Sequence, residues 1–169
     1  LDLDSVQDPR LLRKKAEELG LLVPDFESWD DTFNRIFINF VEPNLPKDHP
    51  VCLTDYPYQI HCLAKREGNY RRRWELYING VEIANCYLEE TDPSITQDYY
   101  RQEYDKLVKS RSTSNKVIPD VDYNFPNIFY TFPKCSGVAI GLDRLLLVET
   151  NTKHIDDVLL FPFSTMLEQ

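Results

Sequence analysis

The stretch Trp74-Glu75-Leu76-Tyr77-Ile78-Asn79-Gly80-Val81-Glu82-Ile83-Ala84-Asn85-Cys86-Tyr87-Leu88-Glu89 reads as a β-hairpin. Runs rich in β-branched and aromatic residues flank Asn79-Gly80, a pair that tolerates positive φ at both turn positions. A two-residue turn there pairs Ile78 with Val81, Tyr77 with Glu82 and Glu75 with Ala84. Glu75 and Glu82 then become diagonal neighbours on one face. Two carboxylates that close repel unless a cation lies between them, and a magnesium ion holding nucleotide phosphates suits such a pair. Two solvent-facing glutamates give the same spacing, and spacing alone favours that simpler reading. Asn85, Tyr87 and Glu89 alternate along the second strand and share a face. Strict period-two counting puts that face opposite Glu82. A single pocket containing all five groups requires a β-bulge between Glu82 and Asn85.

A second informative stretch is Cys135-Ser136-Gly137-Val138-Ala139-Ile140-Gly141-Leu142-Asp143-Arg144. Gly137, Ala139 and Gly141 alternate, which keeps one strand face flat. A flat face admits either a planar ligand or tight packing against another backbone, and spacing does not choose between them. Leu142 to Glu149 then predicts a helix with Asp143 as its cap. Arg144 emerges in its first turn, where a guanidinium can stack on a ring or clamp a phosphate.

Working outward, Asp8-Pro9 starts a helix that Gly20 ends, and Ser28 to Val41 predicts another, with Trp29, Phe33, Phe37 and Phe40 at helical spacing. The prolines of Glu42 to Pro50 impose a connector. Val51 to Tyr56 predicts a strand stopped by Pro57. Pro93 to Ser110 predicts a polar helix, Arg111 to Asp120 a loop, Asp122 to Thr131 a short helix, and Ile155 to Phe163 an apolar strand-like run. This order fits an antiparallel sheet flanked by helices, in the α+β class, better than alternating βαβ units. It divides into a helical segment with linker, residues 1–50, and a sheet portion, residues 51–169.

The 169 residues, 42% of them hydrophobic, suffice for a domain with a core and are not the composition of a disordered segment. A net charge of -9 argues against a broad phosphate-binding surface. No apolar run has the length of a membrane span, and no signal peptide opens the chain. Four scattered cysteines and three distant histidines give no zinc or disulfide pattern, which points to buried thiols in a reducing cytoplasm. The chain begins at Leu1 and its only methionine is Met166, so it reads as part of something longer.

Together the two stretches resemble class II aminoacyl-tRNA synthetases, of the lysyl-tRNA synthetase branch. Gly137 to Arg144 is similar to that class's motif 3, and Trp74 to Asn85 to the branch's metal and lysine hairpin. The unbroken Cys-Ser-Gly-Val-Ala-x-Gly-x-Asp-Arg pattern of Cys135 to Arg144 is more similar to the paralogue that lysylates elongation factor P. Val41-Glu42-Pro43-Asn44-Leu45, Tyr56-Pro57 and Asp157-Val158-Leu159-Leu160-Phe161 extend the likeness over nearly the whole chain.

The resemblance implies the C-terminal half of a class II catalytic domain, with ATP and Mg2+ as cofactors. It implies Glu75 and Glu82 as magnesium and ATP carboxylates. Arg144 would stack on adenine and reach the terminal phosphate, beside Gly141. Lysine or a lysine isomer would meet Asn85, Tyr87 and Glu89 above Gly137 and Ala139. Glu89 would take the ammonium, and Ala139 would narrow the floor by a methyl. The acceptor implied is elongation factor P rather than tRNA, and the parent a homodimer.

Two departures stand out: Cys86 replaces a usual glycine, and Glu90 a usual apolar residue. Motif 1 and motif 2 have no counterpart here, so the chain alone is expected to be inactive. Arg101-Gln102-Glu103 superficially mimics motif 2 but reads as a solvated helical face, and Arg71 to Arg73 as strand-edge charges. The alternatives are a fragment of a true lysyl-tRNA synthetase and a non-catalytic protein, either a degenerate paralogue or an amino-acid-binding regulator.

Overall fold

The computed structural model describes residues 2–112 and 116–167. Helix α1, Pro9–Glu18, starts where Asp8 accepts the Arg10 N–H, and ends before Gly20 at φ +84. Helix α2, Trp29–Ile36, is capped by Ser28 on the Asp31 N–H and runs on as a π-helical turn through Val41. Its aromatic stripe is core at Trp29, Phe33 and Phe37, while Phe40 is exposed. Trp29, Phe33 and Phe37 stack with centroids 5.4 and 5.9 Å apart, and the Trp29 indole donates to the Val6 carbonyl at 2.8 Å. Val6, Leu12, Ala16, Trp29, Phe33 and Ile36 form one buried cluster with Ile60, Cys62 and Ala64. Burying each of the larger side chains contributes about 1.5–3 kcal/mol.

The expected strand Val51 to Tyr56 is broken in two. β1, Val51–Leu53, belongs to the main sheet, and β2, Tyr56–Pro57, to a small one. Asp55 between them sits at φ +58, which redirects the chain. The small sheet orders β2, then β4 (Tyr70–Arg71), then β3 (Arg66–Glu67). The main sheet is antiparallel, in the order β1, β5 (Arg73–Ile78), β6 (Val81–Leu88), β7 (Ser136–Ile140). Between β6 and β7 runs α3, Pro93–Arg111, capped by Asp92, followed by a 3-10 turn at Phe125–Tyr130. Of the loop expected over Arg111 to Asp120, residues 113–115 lie outside the described ones.

Helix α4, Leu142–Thr150, follows β7 directly. Its cap is Gly141, and Asp143 lies in its first turn, favourably placed for the helix dipole rather than as the cap. The strand expected at Ile155 to Phe163 is not formed. A 3-10 turn spans Ile155–Asp157 and a short helix α5, Phe163–Leu167, follows. Pro162 has no N–H for a ladder, and Leu160 and Phe161 are exposed. The antiparallel sheet and its helices make an α+β fold. No helix among the described residues is long and apolar enough to cross a membrane.

Candidate active site

The hairpin register decides the site. Ile78 faces Val81 and Tyr77 faces Glu82, as the turn requires, but Leu76 faces Ala84 and Glu75 faces Asn85. The register expected from turn counting, Glu75 opposite Ala84, is therefore wrong by one residue. Ile83 is the extra residue of a β-bulge, its side chain buried and its carbonyl accepting the Gly141 N–H at 2.8 Å. Because a bulge shifts side-chain parity by one, Glu82 joins Asn85 and Tyr87 on a single face. The Asn85 amide Nδ2 lies 3.5 Å from Glu82 Oε1 across that bulge.

The third strand completes the surface. Gly137 pairs with Tyr87 and Ala139 with Asn85, so both lie on the same face. Glu89, just beyond β6, is anchored through its N–H to the Cys135 carbonyl at 3.0 Å. Its carboxylate lies directly over Gly137, where an added Cβ would collide with Oε1. The flat strand thus makes room for the Glu89 side chain. Gly141 is different, since a Cβ there would meet the Arg144 side chain at ordinary contact distance, 3.4 Å from Cδ. Every residue expected at the site is on or beside this face: Glu75, Glu82, Asn85, Tyr87, Glu89, Gly137, Ala139, Gly141 and Arg144.

The two ends of the face differ electrostatically. At one end Arg144 Nη1 donates to the Glu82 carbonyl at 3.1 Å and to its Oε2 at 3.2 Å. Close by, Glu75 is enclosed. Its Oε2 accepts the Tyr56 hydroxyl at 2.5 Å and the Tyr77 hydroxyl at 3.0 Å, and its Oε1 pairs with Arg73. Burial, and then the Glu75 contact, push both phenols well above the ordinary tyrosine range. A carboxylate offers about four lone-pair directions, so one remains on Glu75 for a further cation. Glu82, less enclosed, offers Oε1 more freely. Two carboxylates diagonal on one face, with such spare capacity, fit magnesium held between protein and phosphate oxygens.

At the other end Glu89 has no hydrogen-bond or ion-pair partner among the described residues, and burial alone pushes its carboxyl above the ordinary value. Aromatic rings line this end. Tyr87 stands beside Glu89, and Tyr100 of α3 packs edge-on against Phe125 at 5.2 Å. Burial first, and then the Glu89 charge, raise the Tyr100 phenol.

Sequence reasoning misses Arg73 and Tyr56. Arg73 is no edge charge; its side chain is 11% exposed and stacked between Tyr56 and Tyr87. Its place two residues before Glu75 on the same strand is the available signal. Arg71 is likewise internal, donating to the Tyr58 and Ala64 carbonyls, while Arg72 is exposed and paired with Glu67. Tyr56 reaches Glu75 only because the chain kinks at Asp55, which spacing does not reveal. Both departures from the family pattern fall off the site face. Cys86 is on the reverse side opposite Trp74 and Val138, and Glu90 accepts the N–H groups of Thr91 and Asp92 ahead of α3. Arg101 is exposed and pairs with Asp98 on its own helix, but Glu103 of the same trio meets His61 at 2.8 Å.

Residues 17–165 match the family model for tRNA synthetases class II (D, K and N). A lysine–tRNA ligase of Carboxydothermus hydrogenoformans is 33% identical over 165 residues, covering 96% of this chain and 33% of the relative. An elongation factor P–(R)-β-lysine ligase of Pectobacterium carotovorum is 30% identical over 168 residues, covering 95% of this chain and 50% of the relative. The corresponding ligase of Buchnera aphidicola is 33% identical over 135 residues, covering 76% of this chain and 40% of the relative. The chain thus spans about a third to a half of these relatives. With the family model covering most of its length, the chain belongs to the class II tRNA synthetases of the D, K and N group.

Proposed function

We propose that this chain carries the lysine pocket and part of the nucleotide site of a lysine-activating ligase. The observation that supports this best is Glu89, a carboxylate partly removed from water, unpaired among the described residues, lodged over a glycine and close enough to add to the burial that raises the Tyr87 and Tyr100 phenols. Such a group is the complement of an ammonium on an apolar stem. Glu89 takes the ammonium of lysine or a lysine isomer, Tyr87 flanks the methylenes, and Asn85 orients the polar end. Gly137 and Ala139 form the floor, whose single methyl at Ala139 adjusts the depth available to the substrate.

At the opposite end Arg144 binds the nucleotide, its guanidinium suited to adenine stacking and to phosphate, with Gly141 turning the chain into α4. Glu75 and Glu82 would hold Mg2+, which when bound neutralises phosphate charge. In the complete enzyme the lysine carboxylate attacks the α-phosphate of ATP and pyrophosphate departs. This half of the site acts by positioning and charge compensation, with no side-chain nucleophile. The lysyl group then passes to an acceptor amine on elongation factor P. Relatives named for that reaction and relatives named for tRNA match comparably, and Ala139 within the Cys135 to Arg144 pattern favours the protein acceptor. The parent is a homodimer, and residues 1–50 form a helical segment ahead of the catalytic sheet.

Titration calorimetry tests the reading directly. The chain is expected to bind L-lysine or (R)-β-lysine with a 1:1 stoichiometry, and to show no lysine-dependent ATP–pyrophosphate exchange by itself. Absence of lysine binding, or equal binding of an uncharged isostere, would refute the pocket assignment. Exchange by the chain alone would refute its inactivity.

A further inference from the structure

The site face holds a largely enclosed cation, Arg73, that the proposed function does not use. Arg73 opens β5 directly opposite Tyr87, and its side chain is 11% exposed. One nitrogen pairs with Glu75, while Nε is buried without a hydrogen-bond acceptor among the described residues. A buried guanidinium N–H lacking an acceptor is costly unless something else compensates it. Aromatic faces do so here. The Arg73 guanidinium carbon lies 4.3 Å from the Tyr56 ring centroid and 5.1 Å from that of Tyr87. Such contacts strengthen when desolvated.

Tyr56 also donates to Glu75, so Arg73, Tyr56 and Glu75 form a closed ring of contacts. Tyr87 attaches to that ring through the guanidinium plane. Beyond Tyr87 come Gly137, its partner on β7, and then Glu89 above the glycine. Arg73 therefore touches both Glu75, at the nucleotide end, and Tyr87, at the amino-acid end.

We propose that Arg73 is a positioning residue that locks the Tyr87 ring as a wall of the amino-acid pocket and ties that wall to Glu75. The inference rests on the lysine-pocket reading above. It also gives Tyr87 a defined chemistry. A cation already on one face of a ring weakens the attraction of the opposite face for another cation. Tyr87 accordingly presents itself to the substrate methylenes, which leaves the ammonium to Glu89.

The test exploits the difference between arginine and lysine. In Arg73→Lys the ammonium can still pair with Glu75 as a point charge, but it lacks the plane that stacks between two tyrosines. Calorimetry is run on the parent chain and the variant, with L-lysine and separately with Mg2+-ATP, alongside thermal melts. The expected result is a lysine affinity lowered about five- to tenfold and a nucleotide affinity within about twofold of the parent. Unchanged lysine affinity in the variant would overturn the proposal. So would lysine and nucleotide affinities falling together with the melting temperature, because that pattern belongs to a residue that only supports the fold. If the parent chain itself binds no lysine, the pocket reading fails and takes this inference with it, a result visible before the variant is examined.

Discussion

Replacing Glu89 by glutamine separates what the carboxylate does for the substrate from what it does to the fold. In the free protein its charge is partly desolvated and meets no partner among the described residues, so burial holds its carboxyl above the ordinary value of 4.5. A raised folded-state value means that the folded chain binds more protons than the unfolded one as pH climbs through that window. Stability therefore falls across it, and the loss persists at neutral pH. A neutral amide at this position does not carry that cost. The melting temperature of Glu89→Gln should equal or exceed that of the parent at pH 7, and the difference should vanish as pH falls below the ordinary value of 4.5, where both states of the parent become protonated. Lysine binding should move the opposite way. A fully buried ion pair broken on one side costs about 3–5 kcal/mol and an exposed one under about 1. Glu89 is intermediate in exposure, which places the loss at about 2–3 kcal/mol, or roughly 30- to 140-fold in affinity. Calorimetry and thermal melts on the same preparations read both quantities. A variant that is less stable at neutral pH, yet binds lysine as well as the parent, would refute the assignment of Glu89 as an unpaired acceptor of an ammonium.

Gly137→Ala should displace the Glu89 carboxylate, weakening lysine binding by about tenfold. The melting temperature should be equal or higher, since alanine restricts the unfolded chain; calorimetry and a melt check both. Glu82→Gln removes the charge paired with Arg144 and leaves its bond to the backbone carbonyl of residue 82, so binding of metal-free ATP should strengthen by up to about fivefold. The enhancement of ATP binding by Mg2+ should be lost, and calorimetric titrations with and without the ion decide this. Tyr56→Phe removes a hydroxyl bond to the enclosed Glu75 and should cost about 1.5–3 kcal/mol. Urea unfolding should show that loss with the slope unchanged.

The hairpin is legible in the sequence because Asn79-Gly80 fixes its turn, and the first helices because Asp8, Gly20 and Ser28 mark their ends. The bulge is legible only conditionally. Alternation puts Glu82 and Asn85 on opposite faces, and only the demand for a single pocket requires the extra residue that Ile83 supplies. The tail misleads because Ile155 to Phe163 has a strand's composition, and nothing local says whether a neighbouring strand is there to pair with it. Arg73 misleads for a related reason. A run of three arginines looks like surface charge, and what buries the third is a pair of tyrosines, one 17 residues before it and one 14 after it. Composition describes a residue's preference for water, whereas partners brought in by distant segments decide whether that preference is overridden.

The face is also asymmetric in a way that bears on how ligands meet it. At the end proposed for the nucleotide the protein has compensated its own charges: Glu75 pairs with Arg73 and accepts from two phenols, and Glu82 pairs with Arg144. A nucleotide arriving there must exchange one ion pair for another. The gain is the difference between two similar interactions, so the bound metal and the phosphates have to supply the surplus. At the amino-acid end the charge is left open. On the proposed reading, a cationic substrate meets in Glu89 a carboxylate with no protein partner among the described residues, and its ammonium removes a desolvation cost that the free protein bears. On that reading, the amino-acid end is therefore the part of the face that is organised for binding before any ligand arrives, while the end proposed for the nucleotide exists in a self-paired form. Lysine should accordingly bind without ATP, whereas productive ATP binding should depend on Mg2+ to release Arg144 from Glu82.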